Sequence, residues 1–134
     1  MIPSVNNILT TDLEVTTQPS KSHKMYIDDN YINGTCQNLD EVKQTIYKIL
    51  NTERYKYIIY SWNYGVEFAD LIGQPISYVC SEIQRRITEA LTQDDRIESV
   101  SDFNFDTSKR HEVVCTFTVH TIFGDTTEER VVNV

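Results

Sequence analysis

Proline and glycine are scarce in this 134-residue chain, at three and four residues, which excludes a low-complexity or collagen-like sequence. Basic charge is also short. Twelve Lys and Arg stand against twenty Asp and Glu, for a net charge of −8. Phosphate backbones are held by clustered Lys and Arg, and no basic run occurs, so nucleic acid is not expected as a partner. Anionic membrane is disfavoured for the same reason. No stretch approaches the ~20 apolar residues that cross a bilayer. Met1 to Pro19 shows no charged region followed by an apolar run, so no secretory signal is expected. Cysteine is sparse and odd in number. Cys36, Cys80 and Cys115 are widely scattered, which fits reduced thiols in a protein made in the cytoplasm better than a disulfide framework.

Catalytic and metal-binding signatures are missing as well. His23, His111 and His120 show no short Cys/His ligand spacing. His111 and Cys115, four apart on a strand, would lie about 13 Å from each other at ~3.3 Å per residue. Asp102-Phe103-Asn104-Phe105-Asp106 opens like a calcium loop, but Thr107 and Val113 stand where that loop needs Gly and Glu. No Gly-x-Ser-x-Gly and no phosphate-cradling Gly-rich loop occur. None of these patterns supplies a nucleophile, a metal ligand or a cofactor site, and only paired carboxylates stay open as a catalytic reading.

What remains is enough for one domain with a real core, since 40% of residues are hydrophobic. Residues 1–22 are rich in Thr, Ser, Asn and Gln without a sustained period and read as a flexible arm. Residues 23–134 read as a single folded unit. Met25-Tyr26-Ile27 and Tyr31-Ile32 are short strand-like pieces separated by Asp29-Asn30, and Asn33-Gly34 forms a further turn. A first helix is expected from Asn38 to about Asn51, capped by Asn38 with Glu41 three residues on. Leu39, Val42, Ile46, Ile49 and Leu50 form its apolar stripe. Glu53 to Gly65 is extended or irregular, and Phe68 to Ile72 makes a short helical turn stopped by Gly73. Pro75 opens a second helix, in which Ile76, Val79, Cys80, Ile83, Ile87, Ala90 and Leu91 share one face to about Gln93.

The last forty residues read as three strands. Arg96 to Asp106 has a phase slip near Ser101 that marks a bulge. Glu112 to Phe123 buries Val113, Cys115, Phe117 and Val119 on one face and is central. Gly124-Asp125 closes a hairpin into Glu128 to Val134. The fold class is α+β: two main helices packed on a small antiparallel sheet with a C-terminal β-meander.

Two features invite chemistry. Tyr55, Tyr57, Tyr60, Trp62 and Tyr64 put five aromatics into ten residues, a density suited to a protein interface or to stacking on sugars. Glu53, with Glu67 or Asp70, is a candidate carboxylate pair for a cell-wall glycoside hydrolase. Arg54 directly after Glu53 would hold that carboxylate ionised, so a structural ion pair is the better reading.

Val42 to Arg54 (Val-Lys-Gln-Thr-Ile-Tyr-Lys-Ile-Leu-Asn-Thr-Glu-Arg), Tyr57 to Gly65 (Tyr-Ile-Ile-Tyr-Ser-Trp-Asn-Tyr-Gly) and Leu71-Ile72-Gly73 together resemble the XkdS-like baseplate proteins of contractile prophages. These are relatives of the baseplate wedge or sheath-initiator family of contractile phages and R-type bacteriocins. The resemblance runs over residues 24–124. It implies a structural component of a baseplate, not an enzyme, located in the virion or tail-like particle. The implied partners are the tail sheath protein, baseplate wedge proteins and, further in, tail tube or hub proteins. By that resemblance Glu53 and Arg54 form intersubunit charge pairs, with Trp62, Tyr64 and Gly65 beside them. The final hairpin offers a strand edge at Glu128, Arg130, Val132 and Val134 for β-augmentation. Some family members have carried a lysozyme label, which this sequence does not support.

Overall fold

The computed structural model describes residues 20–134, and the expectation for residues 1–19 lies outside it. A β-hairpin opens the described chain: β1 (Lys21–Tyr26) pairs antiparallel with β2 (Tyr31–Gln37). It runs directly into α1 (Asn38–Leu50). A single 3-10 turn at Ala69–Leu71 precedes α2 (Ile76–Leu91). Then β3 (Ile97–Asp106), β4 (Glu112–Thr121) and β5 (Gly124–Asn133) form an antiparallel sheet in the order β3-β4-β5. The α+β class with a terminal meander is the observed architecture.

Both helices lie on one face of this sheet because their apolar stripes have nowhere else to go. Val42 and Ile46 of α1 and Val79, Ile83, Ile87 and Leu91 of α2 are at most 1% exposed. They meet Val113, Cys115, Phe117 and Val119 of β4, all fully buried. Strict alternation along β4 makes this possible, since every second side chain points to one face. Burial also pushes the Cys115 thiol up to about 12, with the neighbouring Cys80 adding to it. All three cysteines are free.

Local details depart from the expectations where distant residues intervene. Asn38 does not cap α1: it sits in the left-handed region at φ +55, and Gln37 occupies the cap position without a side-chain bond. Asn tolerates that conformation, and its N–H donates to the Ser20 carbonyl at 3.0 Å. Glu41, the expected other half of the capping box, turns instead to Arg96 and accepts from Thr45. The first hairpin is longer than expected, with Lys21 and Ser22 already in β1 and Asn33-Gly34 inside β2. Gln44 of α1 fastens it by donating to the His23 carbonyl at 2.6 Å and accepting from the Met25 N–H at 2.9 Å. The turn between β4 and β5 falls earlier, at Ile122-Phe123, so that Thr121 pairs with Gly124. The bulge in β3 is where the phase slip placed it, between Ser101 and Asn104, with Asp102 at φ +55.

Phe117 is the largest fully buried side chain among the described residues. Phe117→Ala is expected to cost about 3–5 kcal/mol, measured by urea titration. Ile122→Ser, at a half-exposed turn position, is expected to stay within about 0.5 kcal/mol.

Candidate functional site

The segment between the helices forms a projecting loop whose base is tightly closed. Glu53 and Val66 make a parallel bridge, with Arg54 N–H donating to the Val66 carbonyl and Val66 N–H to the Thr52 carbonyl. The two chains approach so closely that a Cβ on Gly65 would lie 2.6 Å from the Thr52 carbonyl oxygen. Gly65 also sits at φ +96, which L side chains avoid.

Glu53 and Arg54 do not pair with each other. The Glu53 carboxylate accepts from the backbone N–H groups of Phe68 and Ala69, each at 3.4 Å, at the start of the 3-10 turn. Arg54 donates through Nε to the Trp62 carbonyl at 2.7 Å and reaches Glu89 of α2 at 3.1 Å. One residue thus fixes the exit of the loop and the other ties its far side to α2. Tyr64 stacks on Tyr60 with ring centroids 4.5 Å apart, and burial, then Tyr60, raises its pKa.

Above that base the loop presents apolar side chains to solvent. Ile58 is 102% exposed, Ile59 84% and Trp62 82%. Tyr55 holds φ +67, an unusual conformation for a bulky residue, and its ring lies under the Arg54 guanidinium at 4.9 Å. A strained backbone beneath a solvated apolar tip costs stability in the isolated chain.

The second element of interest is β5. β4 is paired on both sides along its length, so it offers no free edge. β5 pairs with β4 over all ten residues, and no strand pairs with its far side among the described residues. The two-residue turn makes Thr121–Gly124 a hydrogen-bonded pair, and Val134 N–H donating to the His111 carbonyl continues the same phase. The even-numbered residues of β5 therefore turn their backbone toward β4. The N–H and C=O groups of Asp125, Thr127, Glu129, Val131 and Asn133 point outward. The candidate residues Glu128, Arg130, Val132 and Val134 belong to the inward set: Val132 is 2% exposed and Val134 packs on the core. Arg130 donates to Asn51 Oδ1 at 2.7 Å and lies over the Phe68 ring. Its Nε is buried without a partner among the described residues, and burial lowers its pKa.

Two of the carboxylates considered for acid–base work, Glu53 and Asp70, are otherwise engaged. Asp70 accepts from both terminal nitrogens of Arg86, and that bond holds its carboxyl below the usual range. Arg86 also donates to the Glu67 carbonyl at 2.8 Å. On the outer face of the sheet, Ser101 Oγ lies 2.6 Å from His120 Nε2, and His120 Nδ1 lies 2.9 Å from Asp125. Hydroxyl, imidazole and carboxylate in this order form the constellation of acyl transfer, which also needs preorganised donors for an oxyanion. Here they stand on the open face of three adjacent strands, in a row of Thr116, Thr118 and Thr127, and strap β3, β4 and β5 together. No group of His, Cys, Asp and Glu suited to a metal occurs among the described residues.

Comparison with known proteins identifies the family. A family model described as the contractile injection system sheath initiator matches residues 10–124. The chain is 38% identical over 103 residues to the phage-like element PBSX protein XkdS of Bacillus subtilis, covering 71% of this chain and 72% of that protein. A crystal structure from Geobacter sulfurreducens, provisionally designated a tail lysozyme, is similar with a TM-score of 0.59. It covers 71% of this chain and 89% of its own at 15% identity, so that likeness shows the fold alone.

Gly65→Ala is expected to cost at least about 1–3 kcal/mol from the backbone conformation, with the clash against Thr52 added. Chemical denaturation with Trp62 fluorescence measures it. The Asp70–Arg86 pair sets a pH dependence. A carboxyl whose folded pKa is depressed stabilises above its unfolded value of about 4 and loses that contribution as pH falls through the folded value. Asp70→Asn is expected to flatten this acid limb in thermal unfolding scans. The effect should be small, because the Asp70 side chain is 64% exposed.

Proposed function

We propose that this chain, which belongs to the contractile injection system sheath-initiator family, is a two-ended structural adaptor in its contractile tail. The outer edge of β5 receives a strand from the first ring of sheath. The apolar loop of Tyr55 to Trp62 docks on a baseplate wedge protein. The chain is made in the host cytoplasm and ends in the assembled particle.

The observation that carries this reading is the outward row of backbone groups on β5. An edge strand with free N–H and C=O groups is a template for another strand. Natural proteins guard such edges with inward-pointing charge, and Arg130 and Glu128 occupy inward positions here. Main-chain hydrogen bonds supply affinity whatever side chains the incoming strand carries, which suits a joint that must start a polymer of a different protein.

The loop supports the other end of the adaptor. Large apolar side chains held at high exposure on a rigid base mark a contact surface. Glu53, Arg54, Tyr64 and Gly65 act in this reading by fixing the base of the loop, while Ile58, Ile59 and Trp62 make the contact. The aliphatic pair at the tip fits an apolar pocket of a protein better than the face of a sugar ring. The hydrolase alternative is less favoured, since Arg86 keeps Asp70 ionised and Glu53 is occupied by backbone amides.

Two substitutions separate the ends. Thr127→Pro removes one outward N–H, a change that edge strands tolerate, and is expected to abolish pull-down of the cognate sheath subunit while leaving the fold intact. Ile58→Asp with Ile59→Asp is expected to abolish wedge binding and spare sheath binding. Sheath capture unchanged by Thr127→Pro contradicts the strand joint.

A further inference from the structure

The lysines of this acidic chain are unevenly placed. Lys21 and Lys24 lie on β1, and Lys43 and Lys48 on α1. The one lysine ion pair among the described residues is elsewhere, between Lys109 and Glu112 at 3.8 Å. Lys21, His23 and Lys48 rim a concavity of about 510 Å³ whose other walls include Met25, Ile32 and Thr35. Ile32 is 65% exposed. The concavity thus combines a cationic rim with an apolar floor, in a protein of net charge −8.

The complementary shape lies at the far end of the meander. The β4–β5 turn projects Ile122, 53% exposed, one pair beyond Asp125, whose side chain is 64% exposed. Asp95 and Glu98 are exposed close by, because Ile97 pairs with Thr121 and the Ile122 N–H donates to the Arg96 carbonyl. The only arginine there, Arg96, is turned inward to Glu41 and Asp94. The tip is therefore an apolar residue with the exposed carboxylates of Asp95 and Glu98 nearby and with Asp125, which pairs with His120 at 2.9 Å, just behind it.

We propose that the concavity between the β1–β2 hairpin and α1 receives the β4–β5 tip of a second copy of this chain. Ile122 enters against Ile32 and Met25, and Asp125, Glu98 and Asp95 face Lys21, His23 and Lys48. Two different surfaces meet, so the contact is heterologous, and it links copies head to tail into a ring or an open string. The tip takes in only the first outward residue of β5, Asp125, and neither surface includes Thr127 to Asn133 or the Ile58–Ile59 tip, so the contact is independent of the adaptor reading and leaves both of its joints free. Opposite charges at the contact and a like net charge overall make the association weak at moderate ionic strength and weaker at high salt.

Sedimentation velocity of the full chain over a concentration series from about 10 μM to 1 mM, the range of weak contacts, tests this. The wild-type sedimentation coefficient is expected to rise with concentration and to rise less in high salt. A rim variant, Lys21→Glu with Lys48→Glu, and a tip variant, Ile122→Ser with Glu98→Gln, are each expected to remain monomeric while keeping the wild-type circular dichroism spectrum. Mixed in equal amounts, the two variants keep one intact tip and one intact concavity. The mixture is expected to form a dimer that grows no further. A wild-type chain that stays monomeric throughout, variants that still associate, or folded variants whose mixture fails to pair would each overturn the proposal. Sheath pull-down by the rim and tip variants is expected to be unchanged, which separates this contact from the β5 joint.

Discussion

Everything in this molecule follows from two helices covering one face of a three-stranded sheet and, among the described residues, no strand beyond β5. The covered face takes most of the apolar stripes of α1 and α2 and the inner face of β4, with Ile76 at the start of α2 left 48% exposed, and this burial drives the fold. The central strand is consumed on both sides and on its inner face. Within this sheet, the backbone groups that find no strand partner among the described residues are on β3 and β5. A domain of this size has little surplus stability, so an unguarded edge is a liability that the charged inward positions at Glu128 and Arg130 moderate.

Two arginines convert this layered core into a platform for projecting parts. Arg86 binds Asp70 and the Glu67 carbonyl and so fixes the segment that follows the loop. Arg96 gathers Glu41, Asp94 and Ser20 and so fixes α1, the α2–β3 connection and the point where the N-terminal residues enter. Each is charge-assisted and partly shielded, which makes it stronger than an exposed pair. The loop between Glu53 and Val66 is then free to hold a strained Tyr55 and solvated Ile58, Ile59 and Trp62 without disturbing the core. Contact surfaces built on such a base lose little entropy when a partner binds.

The layers were legible in the sequence because periodicity reports burial directly. The stripe from Ile76 to Leu91 and the alternation from Val113 to Val119 needed no tertiary knowledge, and the slip near Ser101 marked a real bulge. What could not be read depended on residues far apart in sequence. Glu41 looks like half of a capping box until Arg96, 55 positions away, claims it. Glu53 and Arg54 look like an ion pair until the fold brings backbone amides to one and Glu89 to the other. The turn at Ile122-Phe123 was hidden because apolar residues carry no turn signature, and that displaced the start of β5. Ser101, His120 and Asp125 meet only through strand register, which no spacing rule reveals. The strand carrying the proposed joint was identified, but its phase was not. Glu128, Arg130, Val132 and Val134 face inward, and the outward groups belong to their neighbours.

The most direct test follows individual amide protons. In the free chain, the N–H groups of Thr127, Glu129 and Val131 should exchange with solvent much faster than those of Val113 to Val119. On assembly with cognate sheath subunits they should become protected, while the β4 amides change little. Slow exchange at those β5 positions in the free chain, or exchange that stays fast once sheath is bound, would contradict the account.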